Sequence, residues 1–501
     1  MVALTAISGA SFSSVAKNQT KVGFKELNLT SPYEITHPVM AANVLPNSGT
    51  ELIVMSVDEQ KLPWMVVYGY QQNSKTYSIV DRVQIPQQYF SFDLTDPEDN
   101  AQQSIYFMSP SQIVKYDGNS KSAFEKLKPL ANIESIFLKE NNNYLTRGRF
   151  IRRLNDDDVD DFIVPNFNNV NVLIGQENGE VKGQTLPVSP YIRIFDNGTN
   201  FRETQLHITD TNLDNKLDIV RVENGSLVSY LQQEDGSFSQ TPALVAIDNK
   251  IQGRDWWEVR DSKGDSLDQS DLKYRRLEKL RDINNDGVAD MIVRFTQSSG
   301  VLDKSNDYEV YLGENKQGKL SFSEQPNSVI KADGTLTGLE FVDIDNDQNY
   351  EVLLSGFDIG LGQIIGALLS GSIDQNVFLF TIDEQGNYGK KPNISREVEL
   401  SFSLTKGQSG SPVIELADVN GDNLKDLILS QGDDKLKLYL GEQGSRAFSK
   451  RSTTVKTKLP KDGATLFTQD LNDDGKADIL MKYSLLDDAK LARAFKVLLA
   501  K

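Results

Sequence analysis

A nine-residue pattern, Asp-x-Asn/Asp-x-Asp-x-x-x-Asp/Glu, occurs five times between Asp210 and Asp478, and a short aliphatic run follows each copy. Repetition of one acidic loop at intervals along a chain indicates a repeat architecture, in which every repeat supplies the same structural unit. Positions 1, 3, 5 and 9 of the five copies are Asp210, Asn212, Asp214 and Asp218; Asp282, Asn284, Asp286 and Asp290; Asp343, Asp345, Asp347 and Glu351; Asp418, Asn420, Asp422 and Asp426; and Asp470, Asn472, Asp474 and Asp478.

The spacing of these oxygen-bearing residues is typical of a calcium loop. Side chains at positions 1, 3 and 5, a backbone carbonyl at position 7 and a carboxylate at position 9 would surround a hard cation, which takes about six to eight oxygen ligands. One such loop alone would be interpreted as a solvated turn, but crowded carboxylates in five copies favour a neutralising ion. We therefore predict about five calcium ions. The expected carbonyl donors are Lys216, Val288, Asn349, Leu424 and Lys476.

The loops differ from an EF-hand, whose acidic ligand at position 12 lies between two helices. Position 12 is here occupied by Arg221, Val293, Leu354, Leu429 and Met481. The residues after position 9, such as Leu427-Ile-Leu, form short aliphatic runs that are typical of buried strands. Each loop is therefore predicted to join one strand to the next.

A longer repeat surrounds each loop. A third aliphatic run ending in Gly recurs at 172–175, 310–313 and 438–441, and Gly-containing segments at 236–239, 318–322 and 386–389 are interpreted as fourth, more polar strands. Four strands per unit, repeated every 50 to 75 residues or so, predict an all-β fold, a single β-propeller of four-stranded blades.

Three incomplete loops extend the repeat towards the N-terminus. Arg153 replaces the first acid of a loop that ends at Asp161, the stretch from Asn43 to Glu51 lacks the acids at positions 3 and 5, and a longer segment surrounds Asp93. Together with the five complete loops they predict eight blades. Seven blades are the alternative if the segment around Asp93 is an insertion that forms no blade of its own.

The two ends of the chain are predicted to close the ring. Only two strands, 478–483 and 492–499, follow the last loop, and 22–29 has the pattern of the missing outer strand. Pairing of the N- and C-terminal strands would remove exposed sheet edges. We therefore expect one domain over 21–501, with 1–20 as the remnant of a signal peptide or a frayed terminus.

Residues 282–293 and 470–480 resemble the FG-GAP and VCBS repeats of integrin-α-type β-propellers, and the resemblance extends over roughly residues 20–501. It implies calcium in the loops and a secreted or surface protein that adheres to a partner, although some related propellers are polysaccharide lyases. The chain lacks the Phe-Gly and Gly-Ala-Pro signatures of the integrin form, which favours a bacterial-type repeat protein.

The composition of the chain limits the classes of partner and the cellular locations that we expect. The chain has no Cys, so disulfides cannot staple it, and its formal charge of −18 argues against a nucleic-acid partner. No apolar run has the 18 or so residues of a membrane span. Calcium loops of this exposed design suit millimolar calcium, so we expect a secreted, periplasmic or cell-surface protein.

The sequence favours a binding module over an enzyme. Its two histidines, His37 and His207, occur in no zinc or triad pattern, and both are expected to be structural. A polysaccharide lyase or another carbohydrate-active enzyme, acting on the face opposite the calcium loops, remains the alternative.

Long connections mark the expected recognition surface. The segments 252–279, 296–306 and 356–375 are predicted to lie on the face opposite the calcium loops. The first contains Trp256 and Trp257 with Arg254 and Arg260, residues that suit binding of a protein or glycan ligand. The alternative interpretation is that the two tryptophans cover the core.

Overall fold

The computed structural model describes residues 22–46, 49–96, 102–122, 125–138, 142–155, 157–195, 198–261, 264–300, 303–332, 335–357, 372–403, 408–444 and 446–501. This part of the chain is all-β, with short 3-10 helices at Trp256–Glu258, Gly463–Thr465 and Ala489–Leu491. The N-terminal segment 1–20, expected to be a signal-peptide remnant or a frayed end, lies outside the described residues, as does most of the predicted connection 356–375.

The strands form a series of sheet units, numbered here along the chain; the first strand, β1 (Phe24–Thr30), belongs to the last of them. Unit 1 contains β2 (Glu34–Ile35), β3 (Met40–Ala42), β4 (Glu51–Val57), β5 (Pro63–Gln71) and β6 (Thr76–Gln84). Unit 2 contains β7 (Ser91–Leu94), β8 (Ile105–Met108), β9 (Gln112–Tyr116), β10 (Leu127–Asn132) and β11 (Thr146–Arg147). Unit 3 contains β12 (Ile151–Arg152), β13 (Asp161–Pro165), β14 (Val170–Gly175) and β15 (Val181–Leu186).

A separate hairpin, β16 (Tyr191–Phe195) and β17 (Gly198–Arg202), precedes unit 4, which contains β18 (His207–Thr209), β19 (Asp218–Glu223), β20 (Ser226–Tyr230) and β21 (Ala243–Val245). Unit 5 contains β22 (Leu272–Arg281), β23 (Asp290–Gly300), β24 (Asp303–Tyr311), the small hairpin β25 (Glu314–Asn315) and β26 (Leu320–Ser321), and β27 (Ser328–Ile330). Unit 6 contains β28 (Thr335–Val342), β29 (Glu351–Phe357), β30 (Ser372–Phe380), β31 (Ile394–Ser403) and β32 (Gln408–Ser409). Unit 7 contains β33 (Ile414–Ala417), β34 (Asp426–Ser430), β35 (Lys435–Tyr439) and β36 (Thr453–Lys456). Unit 8 contains β37 (Leu466–Gln469), β38 (Asp478–Lys482), β39 (Ala494–Ala500) and β1.

Consecutive strands of a unit pair antiparallel, so the loops between first and second strands share one end of each unit. The second strands are buried at least over their first three residues, and β4 and β13 are buried along their whole length, which explains why these stretches consist of consecutive apolar residues. Two parallel pairings interrupt this pattern: β11 adds a strand beside β7 in unit 2, and a contact between Asn306 of β24 and Thr335 of β28 joins units 5 and 6 into one sheet.

The hydrophobic core lies between the units. Each core cluster combines residues of two units that are neighbours in the chain, and one further cluster joins unit 8 to unit 1. Representative pairs within one cluster are Ile53 with Phe107, Tyr106 with Phe162, Val172 with Tyr230, Leu227 with Met291, Val310 with Phe378, Leu379 with Phe448, Ile428 with Met481, and Phe495 with Val54.

The predicted pairing of the two chain ends is present. β1 pairs antiparallel with β39, from Phe24 opposite Ala500 to Thr30 opposite Ala494. Unit 8 therefore consists of one strand from the N-terminal end of the described chain and three from the C-terminal end. The segment around Asp93 also forms a sheet unit of its own, and Asp93 lies within β7 rather than in a loop.

Two predictions about strands are wrong. The Gly-containing segments at 236–239, 318–322 and 386–389 lie in small hairpins and isolated bridges, and the fourth strands β21, β27 and β31 follow them. The error arises because each hairpin has the same turn chemistry as a true strand pair. The supposed connection 296–306 is mostly strand, since β23 and β24 pair as far as Gly300 opposite Asp303.

Candidate metal centre and recognition surface

The five complete loops join the first strand to the second in units 4 to 8. In unit 5, β22 ends at Arg281, the loop begins at Asp282, and β23 starts with the position-9 residue Asp290. The second strands of the other four units likewise begin at position 9, with Asp218, Glu351, Asp426 and Asp478. The predicted strand-to-strand placement is therefore correct.

All five loops have left-handed residues at the same two positions. Positions 4 and 6 of each loop have φ between 56° and 82°, in the left-handed region. These positions are Leu213 and Asn215, Asn285 and Gly287, Asn346 and Gln348, Gly421 and Asn423, and Asp473 and Gly475. A left-handed conformation costs a residue such as Leu213 about 1–2 kcal/mol, so the surrounding loop must hold it in place.

The carboxylates at positions 1 and 5 are held inside the loop by backbone amides. Asp418 Oδ1 accepts a hydrogen bond from the Gly421 amide at 2.6 Å, and Asp418 Oδ2 accepts one from the Asn423 amide at 2.6 Å. Asp422 Oδ1 accepts one from the Leu424 amide at 3.1 Å. The same contact between positions 5 and 7 joins Asp214 to Lys216, Asp286 to Val288, Asp347 to Asn349 and Asp474 to Lys476.

The acid at position 9 is buried and connects two parts of its unit. Asp290 Oδ2 accepts a hydrogen bond from the Ile283 amide at 2.9 Å, and its Oδ1 accepts one from the Gly313 amide at 2.8 Å, just after the third strand. Burial raises the pKa of Asp290 to about 7, although these two amides favour the charged form. Burial likewise raises the pKa of Glu351, Asp426 and Asp478 to about 7. We call this bridging arrangement the acid clamp.

Where the calcium pattern is incomplete, the acid clamp occurs in full in unit 3 and in part in unit 1. Glu51 of unit 1 accepts a hydrogen bond from the Val44 amide at 2.8 Å. Asp161 of unit 3 accepts hydrogen bonds from the amides of Leu154 at 2.9 Å and Gly175 at 3.0 Å. The position-9 acid, predicted only as a closing ligand, therefore also has a structural role. The sequence contains a signal for this role, because the incomplete loops of units 1 and 3 keep the acid at position 9 although they lack others.

One loop brings three carboxylates close together. In the described part of the chain, oxygens of Asp343, Asp345 and Glu351 form the one acidic group whose members all lie within 4.8 Å of each other. Burial raises the pKa of Asp345, and the neighbouring charges of Asp347 and Asp343 add to the effect. Hard carboxylate oxygens at this spacing fit a divalent cation such as calcium.

The remaining complete loops have Asn at position 3, so they present fewer carboxylates. In the loop that starts at Asp210, the amide oxygen of Asn212 is buried and has no hydrogen-bond partner among the described residues. Such an orphaned oxygen is energetically costly unless it has a ligand. The donor set of this loop therefore also fits a cation.

Adjacent loops contact each other directly. The amide at position 8 of one loop donates a hydrogen bond to a carbonyl near the start of the preceding loop: Tyr350 to Ile283 at 3.0 Å, Lys425 to Ile344 at 2.8 Å, and Ala477 to Asp418 at 2.6 Å. The last loop also meets unit 1, because the Tyr77 hydroxyl donates to the Leu471 carbonyl at 3.1 Å. The loop end of units 5 to 8 is thus a connected strip.

The incomplete loop of unit 3 places Arg153 at position 1. Its guanidinium forms an ion pair of 3.7 Å with Asp158, which is highly exposed. Asp161 instead takes part in the acid clamp. Arg153 therefore stands at the edge of the loop.

The predicted recognition residues lie at the other end of the units. The connection before β22 must approach from the end opposite the calcium loop, and it carries Trp256 and Trp257 on a 3-10 helix. Their rings form an edge-to-face pair at 5.4 Å. Trp257 is 48% exposed, and Lys304 Nζ lies 4.1 Å from the Trp256 ring centre. At least one of the two tryptophans is therefore accessible.

The arginines near these tryptophans have intramolecular partners. The Arg254 guanidinium lies 4.3 Å from the Tyr191 ring centre, and Arg260 Nη1 donates to the Trp257 carbonyl at 3.0 Å. Arg275 makes a two-pronged contact with Glu309, and Arg276 pairs with Glu278 at 2.6 Å. Arg275 and Arg276 thus stabilise unit 5, and the accessible part of the predicted site is centred on Trp257.

Sequence reasoning missed the hairpin of β16 and β17 beside this surface. Its exposed apolar side chains are Ile192, Ile194 and Phe195, with Ile194 82% exposed. An ion pair between Arg202 and Glu258 attaches the hairpin to the tryptophan segment. Alternating apolar residues at 191–195 were the available signal for a strand here.

The two histidines lie in different units. The His37 ring stacks on Tyr144 with centres 4.6 Å apart, and His207 belongs to β18. Burial lowers the pKa of both histidines to about 4, so both are neutral at physiological pH. This placement agrees with structural roles.

Comparison with known families finds one match: residues 418–481 fit the model of an FG-GAP-like repeat. The matched stretch contains the complete loops of units 7 and 8 and most of the second strand of unit 8. The comparison with curated proteins found no match. No helix in the described residues has the length and apolar character to span a membrane.

Several solved structures are similar over most of the chain. A lectin from Agrocybe aegerita that recognises non-reducing terminal N-acetylglucosamine is 13% identical, with a TM-score of 0.41, and 86% of this chain and 93% of that chain are covered. The WD40 domain of SCAP from fission yeast is 12% identical, with a TM-score of 0.37 and coverage of 95% and 98%. The biofilm matrix protein Bap1 from V. cholerae is 8% identical, with a TM-score of 0.36 and coverage of 96% and 91%.

Proposed function

We propose that residues 21–501 form one closed, eight-bladed β-propeller whose blades are units 1 to 8. The arrangement of the core supports this proposal, because every unit shares a hydrophobic cluster with the next and unit 8 shares one with unit 1. The pairing of β1 with β39 closes the last blade with a strand from the other end of the chain. Closure of this kind protects sheet edges.

The five complete loops of this propeller each bind one calcium ion. The observation that carries the assignment is their common geometry: the same left-handed positions, and inward carboxylates held by the same amides. The ligands are the side chains at positions 1, 3, 5 and 9 with the position-7 carbonyls. Calcium would offset the repulsion between these carboxylates and rigidify one face of the ring.

The calcium-loaded propeller serves as a recognition or adhesion module in a secreted, periplasmic or cell-surface setting, where millimolar calcium saturates such loops. Its ligand is a protein or a glycan, bound at the face opposite the calcium loops. An exposed Trp257 next to exposed apolar side chains of the hairpin supports this choice of face, because aromatic anchors dominate binding energy.

Thermal unfolding tests the calcium assignment. Calcium added to metal-free protein should raise the Tm, and Asp418→Asn should reduce this rise by removing one site. The matched control is Asp235→Asn, which changes an exposed acid that caps a turn through Ser237. A Tm that calcium does not change, or equal effects of the two variants, would contradict the assignment.

Glycan-array and pull-down experiments test the recognition surface. The Trp256→Ala/Trp257→Ala variant should keep its calcium response but lose about tenfold or more in affinity for the captured ligand. Leu244→Ala, which removes an exposed apolar side chain of unit 4, is the control. Unchanged binding by the double variant would place the site elsewhere. New ultraviolet absorbance from unsaturated sugars would instead identify a polysaccharide lyase.

A further inference from the structure

Three interfaces join the complete loops of units 5 to 8 to one another. At each interface the position-8 amide of the later loop donates a hydrogen bond of 2.6 to 3.0 Å to a carbonyl at position 1 or 2 of the earlier loop. The donors are Tyr350, Lys425 and Ala477, and the acceptors are Ile283, Ile344 and Asp418. We call the four joined loops, 282–290, 343–351, 418–426 and 470–478, the loop block.

A second contact at the first two interfaces joins position 4 of the earlier loop to position 6 of the later one. Asn285 Nδ2 donates a hydrogen bond to Gln348 Oε1 at 2.8 Å, and Asn346 Nδ2 donates one to the Asn423 carbonyl at 2.8 Å. Positions 4 and 6 are the two left-handed residues of each loop, and they flank the expected ligand at position 5. The contacts between loops therefore involve the residues that shape the expected metal site.

The third interface, between the loops of units 7 and 8, has the same second contact point. Gly421 occupies position 4 of the unit 7 loop, and a Cβ atom placed on it would lie 3.5 Å from the carbonyl oxygen of Gly475 at position 6 of the unit 8 loop. It would also lie 3.2 Å from Lys476 Cγ. The two loops are thus in close contact here as well.

The contacts use the same peptide groups as the expected calcium ligands. In the unit 6 loop, the position-7 carbonyl of Asn349 and the position-8 amide of Tyr350 belong to one planar peptide bond. The carbonyl is the expected ligand, and the amide donates to Ile283 of the unit 5 loop. The following amide of the unit 5 loop, that of Asn284, donates to Asp282 Oδ1 at 3.2 Å. Two peptide groups thus connect an expected ligand carbonyl with the position-1 carboxylate of the preceding loop.

A connection of this kind couples the two loops energetically. Because hydrogen-bonded groups polarise one another, a position-7 carbonyl that binds a cation has a stronger donor in the amide of the same peptide. Fixing that peptide also fixes the carbonyl that it contacts in the preceding loop, so the second loop pays less ordering entropy once the first is occupied. The effect is reciprocal, since either loop can be occupied first.

The complete loop of unit 4 lacks these contacts. Its position-2 carbonyl, that of Thr211, accepts a hydrogen bond from the Leu320 amide of β26 at 3.0 Å. Among the residues that the structure describes, no hydrogen bond joins 210–218 to 282–290. The small hairpin of β25 and β26 therefore takes the place that the next loop has at the three interfaces of the loop block.

The loop block also ends at unit 8. The position-2 carbonyl of its last loop, that of Leu471, accepts a hydrogen bond from the Tyr77 hydroxyl of unit 1 at 3.1 Å. A side chain thus contacts this carbonyl where a loop amide contacts the others, and the loop of unit 1 lacks the acids at positions 3 and 5. The loop block therefore consists of four candidate sites.

We propose that the four loops of the loop block bind calcium cooperatively, whereas the loop of unit 4 binds it independently. The cooperativity rests on the calcium binding proposed above and adds its regulation. The loop end of units 5 to 8 becomes rigid over a narrow range of calcium concentration, and the loop of unit 4 responds over a broader range.

Hydrogen exchange measured loop by loop during a calcium titration of metal-free protein tests the proposal. The amides of the loop block should become protected over the same narrow range with a Hill coefficient above about 1.5, and those of 210–218 with a coefficient of about 1. A coefficient of about 1 in every loop would overturn the cooperativity while leaving calcium binding intact. Absence of protection at any calcium concentration would refute the calcium binding itself.

A position-1 variant in the middle of the loop block tests the coupling between neighbours. Asp343→Asn should raise the calcium concentration for half-protection of the unit 5 and unit 7 loops by about fivefold or more, the lower end of ordinary coupling between sites. At saturating calcium the four remaining loops should still load. The matched control, Asp210→Asn, removes the site of unit 4 and should leave the loop block unchanged.

Two results with these variants would contradict the proposal. One is an Asp343→Asn protein in which the unit 5 and unit 7 loops load as in the parent. The other is a shift of the unit 4 loop as large as that of the neighbouring loops, which would show a general loss of stability.

Asp470→Asn, at the end of the loop block, gives a further readout that leaves unit 6 intact. It has one complete neighbour, so the half-protection of the unit 7 loop should shift most and that of the unit 5 loop least. Equal shifts in the loops of units 4, 5 and 7 would overturn coupling through the three interfaces.

Discussion

The loops of units 4 to 8 and that of unit 3 share the acid clamp, and the loop of unit 1 shares its position-2 contact, but the loops differ in their other acids. Asp290 in a complete loop and Asp161 in an incomplete one accept hydrogen bonds from equivalent amides, at position 2 and after the third strand. Glu51 keeps the first of these bonds in unit 1. The comparison shows two separable parts of one motif. The position-9 acid organises the sheet unit, whereas the acids at positions 1, 3 and 5 supply the candidate metal site.

The largest expected effect comes from removing calcium. Each site should stabilise the folded chain by about 1.4 kcal/mol when calcium is tenfold above its Kd, so five sites should produce a clear fall in Tm on chelation. Hydrogen exchange should also increase in the loops of units 4 to 8 and stay unchanged in those of units 1 to 3. Equal changes in both groups of loops would contradict the distinction between complete and incomplete loops.

Removing the clamp acid should be costly in both groups of loops. Asp161→Ala and Asp290→Ala each leave two amides without an acceptor, which should lower the free energy of unfolding by about 1–3 kcal/mol per orphaned group. Without calcium the two variants should be similarly destabilised in urea. With calcium, only Asp290→Ala should show an additional loss of stability relative to the parent protein. If Asp161→Ala left the free energy of unfolding unchanged, the structural role of the clamp would be refuted.

The pH dependence should distinguish calcium-free from calcium-loaded protein. Burial raises the pKa of Asp290, Asp426 and Asp478 from 3.8 to about 7. Without calcium these acids hold protons more tightly in the folded chain, so their contribution to stability falls as pH rises from about 4 to about 7. Calcium favours the charged form. Its effect on the Tm should therefore be larger at about pH 7.5 than at about pH 5, and the reverse order would contradict this view.

The smallest expected effect is the repair of the incomplete loop in unit 3. Arg153→Asp restores position 1 beside Asn155, Asp157 and the clamp acid Asp161, so the variant should bind one more calcium ion than the parent. Arg149→Asp makes the same change of charge outside the loop and serves as the control. Equilibrium dialysis with no additional ion in Arg153→Asp would show that the loop lacks more than its first acid.

The sequence predicted those features that depend on local spacing. The loops and the buried second strands follow from periodic patterns that a single segment displays. The pairing of β1 with β39 follows from the repeat itself, because the last unit lacks one strand in the C-terminal part of the sequence. The fourth strands were misplaced because the small hairpins at 236–239 and 386–389 carry the same glycine turns as strand connections.

Features that depend on distant contacts could not be read from the sequence. The acid clamp requires the Gly313 amide to return to Asp290 from another strand, and the ion pairs of Arg275 with Glu309 and of Arg276 with Asp255 require partners in other segments. The acidic loops are visible in the sequence. The hydrogen bonds between the loops of neighbouring units are not.

The most direct test of the comparison is the number of calcium ions bound per chain. Metal-free protein dialysed against about 1 mM calcium, a level that saturates loops of extracellular type, should retain five ions. The Asp→Asn substitution at position 1 of any one complete loop should reduce the number to four, and Glu51→Gln in unit 1 should not change it. Retention of no calcium, or a number that position-1 substitutions leave unchanged, would contradict the account.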